Sequence, residues 1–356
     1  MSLKRAIQID KADTHLRTTD DLLQAGLINA EEFAEVDEIA QEYDISITPE
    51  MVRLIETKND PIALQFVPDA REKNVLPQEN LDPISDYPKS PLKALVHRYR
   101  NRVLFKPTSV CAVYCRFCFR REMVGPEGDV VSQQDIDDAI KYIAEHREIT
   151  EVVFSGGDPL MLSPKKIKTI LQKIDAIPHI RWVRFHTRIP VVSPGKINEE
   201  LIDSLTISKP VLMAIHTNHA REITPPQTRA ALLRMIKAGI VLLGQSVLLK
   251  GINDTVDAMS ELLETMMENR IKPYYVHHTN LVTTGTNHFR VSFEDGMALM
   301  NQLRLRVSGV CIPNYMLEIP GAASKVAINP HSVRPVANQP GHYIFRDVTG
   351  KEFHHP

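Results

Sequence analysis

The chain has 356 residues, of which 43% are hydrophobic and 24% charged, with a formal net charge of −2, enough apolar content to bury one enzyme-sized core plus appendages. So small a charge offers no broad attraction to nucleic acid or anionic lipid, which need a basic footprint. No run of eighteen apolar residues can span a bilayer, and the start Met1-Ser2-Leu3-Lys4-Arg5 lacks the apolar stretch of a secretory leader, so a reducing, cytoplasmic setting with no membrane partner is expected.

From Asp20 to Asp60 twelve acidic residues stand against two basic ones, and Phe33, Val36, Ile39, Ala40 and Tyr43 fall on one helical face. Small packed helices with a solvated acidic face explain this better than a docking surface for a basic partner. Residues 1–60 are therefore expected to be helical and without chemistry. Six prolines between Pro61 and Pro91 are too many for helix interiors or central strands, so residues 61–100 are expected to form a wrapping segment. It closes on His97-Arg98-Tyr99-Arg100-Asn101-Arg102. Guanidiniums can clamp a phosphate with planar paired donors, and a solvated surface explains the same residues equally well.

Three of the four cysteines, Cys111, Cys115 and Cys118, fall within eight residues. Thiolates this close can ligate a soft metal ion or an iron–sulfur cluster. On a 4Fe–4S cluster, three ligands leave one iron open to a small molecule. A closed zinc site needs a further Cys or His pair at short spacing, and Cys311 is remote. Disulfides would leave one of the three thiols unpaired and need an oxidising compartment.

Beyond the cysteines short apolar runs alternate with amphipathic ones. Strands are expected at Val103 to Lys106, Glu151 to Phe154, Arg181 to Phe185, Val211 to Ile215, Ile240 to Leu249 and Lys272 to Val276. Helices are expected at Gln133 to His146, Pro164 to Ile174, Asn198 to Leu205, Pro226 to Ala238, Val256 to Asn269 and Phe293 to Val307. Six βα units over residues 101–308 imply a parallel sheet with helices outside, open or closed into a barrel, followed by a C-terminal segment over 309–356. Ligands of such sheets bind beyond the carboxyl ends of the strands.

Those ends carry Ser155-Gly156-Gly157-Asp158-Pro159, His216-Thr217-Asn218-His219 and Gly244-Gln245-Ser246. Paired glycines let backbone come close to a ligand and a neighbouring carboxylate can accept from an ammonium, although a tight turn before a helix has the same composition. Histidines at strand ends serve as acid–base groups or as structural hydrogen bonders. Further on, Glu318-Ile319-Pro320-Gly321-Ala322-Ala323-Ser324-Lys325 ends in a lysine, whose amine can form a Schiff base with pyridoxal phosphate (PLP) if held beside it. Taken alone, a lysine is most often a solvated surface group.

The pattern Cys-x3-Cys-x-aromatic-Cys, with Phe117 in the aromatic place, resembles the signature of the radical S-adenosylmethionine (SAM) superfamily. Its extension Cys115-Arg116-Phe117-Cys118-Phe119-Arg120-Arg121 resembles the lysine 2,3-aminomutase family, most of all its branch that makes β-lysine for elongation factor P. The resemblance implies a partial (βα)6 radical SAM barrel with a lateral opening. It implies a 4Fe–4S cluster on Cys111, Cys115 and Cys118, and SAM at Gly156, Gly157, Asp158 and Gln245, with His216 a second contact. It also implies PLP on Lys325, with Arg98, Tyr99 and Arg102 at its phosphate. Arg120 matches the arginine that receives the substrate carboxylate. Glu318 matches one of two carboxylates for a distal ammonium, and Asn280 stands where the other, an aspartate, is expected.

The activity so implied is the transfer of the α-amino group of L-lysine to the β-carbon, with electrons from a protein such as flavodoxin or ferredoxin. Asn280 leaves room for another α-amino acid. Residues 326–356 contain no cysteine, so the late zinc cluster of free-lysine enzymes is not expected. A reading from another class, a cluster-bearing redox sensor without turnover, stays open, and the sequence leaves a homo-oligomer open as well. Nucleic-acid binding lacks its basic, aromatic-studded patch.

Overall fold

The protein is described here from a computed structural model, covering residues 14–125, 128, 130–280, 285–339 and 341–356. The first five residues, read above for a leader, lie outside these. A nine-stranded sheet runs in chain order: β1 (Leu95–Tyr99), β2 (Arg102–Phe105), β3 (Glu151–Phe154), β4 (Trp182–Thr187), β5 (Val211–His216), β6 (Val241–Leu248), β7 (Lys272–His278), β8 (Asn314–Leu317) and β9 (Val326–Ala327). From β2 to β8 every pairing is parallel, while β1 and β9 run antiparallel at the two edges. The edges do not pair with each other. The sheet is a barrel left open along one side, with the six βα units of the sequence inside it.

Helices Gln133–Glu145, Pro164–Asp175, Glu199–Ser204, Pro226–Lys237, Val256–Glu268 and Phe293–Arg306 connect the parallel strands. Each lays a stripe inward; in the first it is Ile136, Ala139, Ile140 and Ile143, the spacing of one helical face. Starts are fixed by side chains accepting from the first turn, as at Ser132, Ser163, Thr255 and Ser292.

Along the strands fully buried and partly buried residues alternate, as in β4 and β6. Phe105, Phe154, Phe185, Met213 and Leu242 lie side by side in register and are buried, forming the layer between sheet and helices. The intervening residues, among them Arg184, His186, His216, Gln245 and His277, therefore face the lumen.

One expectation needs correction, and two gain detail. The sheet has three more strands than the sequence pattern gave, β1, β8 and β9. The proline-rich stretch, expected as a wrapping segment, contains a helical turn at Ala63–Phe66 and 3₁₀ turns at Ala70–Lys73 and Tyr87–Lys89. The N-terminal region is helical, at Thr19–Gln24, Phe33–Glu42 and Pro49–Leu54, but it does more than fill space, as shown below. The C-terminal residues form a separate antiparallel sheet, Val333–Pro335, Tyr343–Arg346 and Glu352–His355. Phe345 and His355 of that sheet close on Phe293. Among the described residues no helix is long and apolar enough to cross a membrane.

Candidate active site

Strand β2 runs into the cysteine loop, which neighbouring segments hold by their backbones. Gly157 N–H donates to Thr108 O (2.8 Å), Asp158 N–H to Val110 O (2.9 Å), Tyr114 N–H to Ser46 O (3.1 Å) and Arg116 N–H to Gln65 O (2.9 Å). The paired glycines make the first two contacts feasible. A Cβ on Gly156, where φ is +103°, would lie 2.7 Å from Thr108 O, and one on Gly157 would lie inside the radius of Val110 O. Gly157→Ala is expected to displace the loop and destabilise the fold by about 1–3 kcal/mol, the usual cost of overpacking. Urea unfolding measures this, and an unchanged midpoint would refute the role.

All three cysteines are free thiols. Burial pushes each above the usual range, Cys118 to about 11. Asp158 and the other two thiols push Cys111 further, whereas the Arg188 guanidinium pulls Cys115 back. Metal uptake by such thiols must release protons. Among the described residues no three Cys, His, Asp or Glu side chains converge on a single ion.

Two buried ion clusters brace the loop. Arg116 makes a paired contact with Glu72, Nε to Oε1 at 2.8 Å and Nη2 to Oε2 at 2.6 Å, and Arg121 Nη2 reaches the same Oε2 at 2.8 Å. Arg121 also lies over the Tyr43 ring. On the other side Arg188, one residue past β4, donates to Cys115 Sγ (2.8 Å), to Gln65 and to Glu222 (2.9 Å). Residues 43–60, expected to be without chemistry, and the wrapping segment as far as Glu72 thus supply the loop's supports.

Across the lumen, Glu318 follows β8 and Lys325 precedes β9. Lys325 Nζ donates to Glu318 Oε2, and Arg98 Nη1, from β1, donates to Glu318 Oε1. Burial alone would raise the Glu318 carboxyl, but the two cations hold it down at about 2. The Lys325 loop is tied by Ala323 N–H donating to Asp347, just past the strand Tyr343–Arg346 (3.0 Å). Burial, with Arg184 and Lys325 adding, drives His186 well below its usual range; burial, with Lys325 adding, lowers His277 to about 3. Both rings are therefore neutral near pH 7, and the buried Nε2 of His186 has no hydrogen-bond partner.

Residues 105–264 match the family model for the radical SAM superfamily. The chain is 35% identical over 337 residues to the L-lysine 2,3-aminomutase of Fusobacterium nucleatum, covering 94% of the chain and 78% of that protein. It is 36% identical to the enzyme of the same name from Clostridium subterminale, covering 89% of the chain and 76% of the relative. The chain belongs to the lysine 2,3-aminomutase family. It is an isomerase of radical SAM type, and that superfamily implies a 4Fe–4S cluster and SAM. A glutamate 2,3-aminomutase of Clostridioides difficile is also 35% identical, over 83% of the chain and 70% of its own length.

Within this aminomutase the residues expected from sequence take three kinds of place. His216 and Gln245 stand side by side in register on β5 and β6, and His216 packs 5.6 Å from Phe117 of the cysteine loop, its Nε2 buried without a partner. Asn280 and Glu318 leave adjacent parallel strands, and the Asn280 carbonyl is likewise buried and unpartnered.

Other residues have different partners from those expected. The Asp158 carboxylate is not left for an ammonium: it accepts from Thr187 Oγ1 (2.8 Å), Arg188 N (2.7 Å), Leu160 N (3.0 Å) and Ile189 N (3.3 Å), which fills its acceptor sites. Arg98, Tyr99 and Arg102 do not converge as one anion clamp. Arg98 turns to Glu318, while Arg102 stacks 3.8 Å above Tyr99, its partner across the β1–β2 pair. Arg120 donates to Asp86 at 2.8 Å, the bracing ion pair. Glu72, Asp86, Arg188, His186 and His277 were not singled out as site residues. The site partners of Glu72, Asp86 and Arg188 sit tens to more than a hundred positions away, so local spacing carries no sign of them.

Proposed function

We propose that this aminomutase moves the α-amino group of L-lysine to the β-carbon, giving β-lysine, with PLP carried on Lys325 and the 4Fe–4S cluster on Cys111, Cys115 and Cys118. The observation that carries the reading is the place of Lys325: inside the lumen against a buried carboxylate, in the same barrel whose strand ends hold the cysteine loop. The residues fit the groups. Three soft donors share one loop, glycines bring backbone close beside it, and His186, His216 and Asn280 present buried polar atoms with no protein partner. When bound, the cluster and SAM supply hydrogen abstraction, and PLP holds the migrating nitrogen.

The chain's own residues position and exclude. Lys325 offers the amine that anchors the cofactor, and Arg98 offers cationic donors for its phosphate. Once Lys325 is committed, Glu318 is released to accept the distal ammonium of the substrate, and Arg120 is the candidate for its carboxylate. Gln245 and His216 line the SAM side. Neutral His186 and His277 can hold or pass a proton without adding charge to the lumen. Glutamate rather than aspartate at 318 favours service to elongation factor P in the cytoplasm, with flavodoxin or ferredoxin as reductant.

Asn280 supports a second reading, in which another α-amino acid is the substrate, and the glutamate-acting relative illustrates that range. The test is anaerobic reconstitution with SAM, PLP and reductant, followed by product analysis. β-Lysine is the expected product; turnover of other amino acids with L-lysine untouched would select the second reading. Asn280→Asp is expected to raise kcat/KM for lysine about tenfold, the factor a hydrogen bond to a charged group commonly carries. No gain would mean that Asn280 does not face the distal group.

A further inference from the structure

A hydrogen bond to a ligating sulfur draws electron density from an iron–sulfur cluster and shifts its reduction potential. Arg188 is built for that. Its Nη1 lies 2.8 Å from Cys115 Sγ, where the sulfur stands for the thiolate that would bind iron. The side chain is buried and cannot swing away. Its Nη2 is held by Gln65 and by Glu222, its guanidinium lies 4.6 Å from the Phe66 ring centre, and its own backbone N–H is gripped by Asp158.

The holders are held in turn. Glu222 Oε1 accepts from the backbone of Asn218 and His219 and from Gln65 Nε2, and Gln65 Oε1 also accepts from Asn218 Nδ2. Three separated stretches, around residues 65, 188 and 222, converge to fix one guanidinium on one sulfur. A purely structural ion pair needs no such aim.

Resting on the assignment of the cluster to the three cysteines, we propose that Arg188 sets the reduction potential of that cluster through Cys115, and that Glu222 moderates its charge. Arg188 eases reduction, because its positive end faces the cluster as an electron arrives. Glu222, on the far side of the guanidinium, opposes it.

The two charges therefore predict shifts of opposite sign. In Glu222→Gln the guanidinium is less compensated, and the midpoint is expected to rise. In the double variant Arg188→Gln with Glu222→Gln no lone charge is left buried, which favours folding, and the midpoint is expected to fall. A tenfold drop in the reduced-to-oxidised ratio corresponds to 59 mV for one electron. The experiment is anaerobic reconstitution of the full chain, iron and sulfide determination, and an EPR-monitored redox titration.

Opposite shifts support the proposal. Loaded variants with the wild-type midpoint, or shifts of the same sign, overturn it. Failure of both variants to take up iron and sulfide also overturns it, since the pair would then be structural only. A wild-type chain that loads no cluster overturns the cysteine assignment itself, and the proposal with it.

Discussion

If Lys325 carries PLP as proposed, replacing it by alanine is expected to lower aminomutase turnover by a factor on the order of a thousand or more, as losses of a covalent catalytic group do. On the proposed assignment the amine is the chemistry: without it the cofactor loses its covalent anchor at this site. The substitution also removes the Lys325 partner of Glu318, leaving Arg98, so alanine alone confounds anchor with charge. Lys325→Arg separates them. A guanidinium stays protonated and can keep the ion pair, yet it cannot form the imine. Both variants should lose turnover and the absorbance of bound PLP, and only the alanine variant should let the Glu318 carboxyl drift up from about 2. If Lys325→Arg kept activity within about tenfold, Lys325 would be serving as a charge, and the PLP assignment would fail.

The sequence made the parallel part of the barrel legible because its signals are local. The apolar strands β2 to β7 alternate with amphipathic helices, and caps such as Ser132 and Ser292 mark where helices begin. The edge strands escaped because their residues serve something other than an apolar face. His97 turns outward to Tyr142 while Arg98 reaches Glu318, so Leu95–Tyr99 reads as a basic cluster, and β9 is only two residues long. The cysteines, the paired glycines and Lys325 could be read from motif and resemblance. Asp158 shows the limit: a carboxylate beside Gly-Gly looks like a ligand group until four donors from its own turn and the end of β4 are seen to occupy it.

Glu72 was beyond reach from sequence for the same reason, and it carries the second large effect. Glu72→Gln is expected to destabilise the chain by about 3–5 kcal/mol, the cost of breaking a buried ion pair by removing one partner. Glu72 is buried, and so are Arg116 and Arg121; a neutral amide would remove the carboxylate that both guanidiniums contact. Burial alone would raise the Glu72 carboxyl, but Arg116 and then Arg121 hold it below its usual 4.5. A depressed carboxyl stabilises the fold above the unfolded value, and that contribution drains away as pH falls through the folded one. Wild type should therefore lose stability below pH 4.5 on this account, while Glu72→Gln is already weakened at neutral pH and lacks that component. Because Arg116 sits between Cys115 and Phe117, the lost brace should also lower iron uptake by the loop. Urea unfolding at pH 7 and at pH 4, with iron counted per chain, tests both halves. A variant as stable as wild type at pH 7 would mean that water or another group satisfies the two arginines, and the cysteine loop would need a different support.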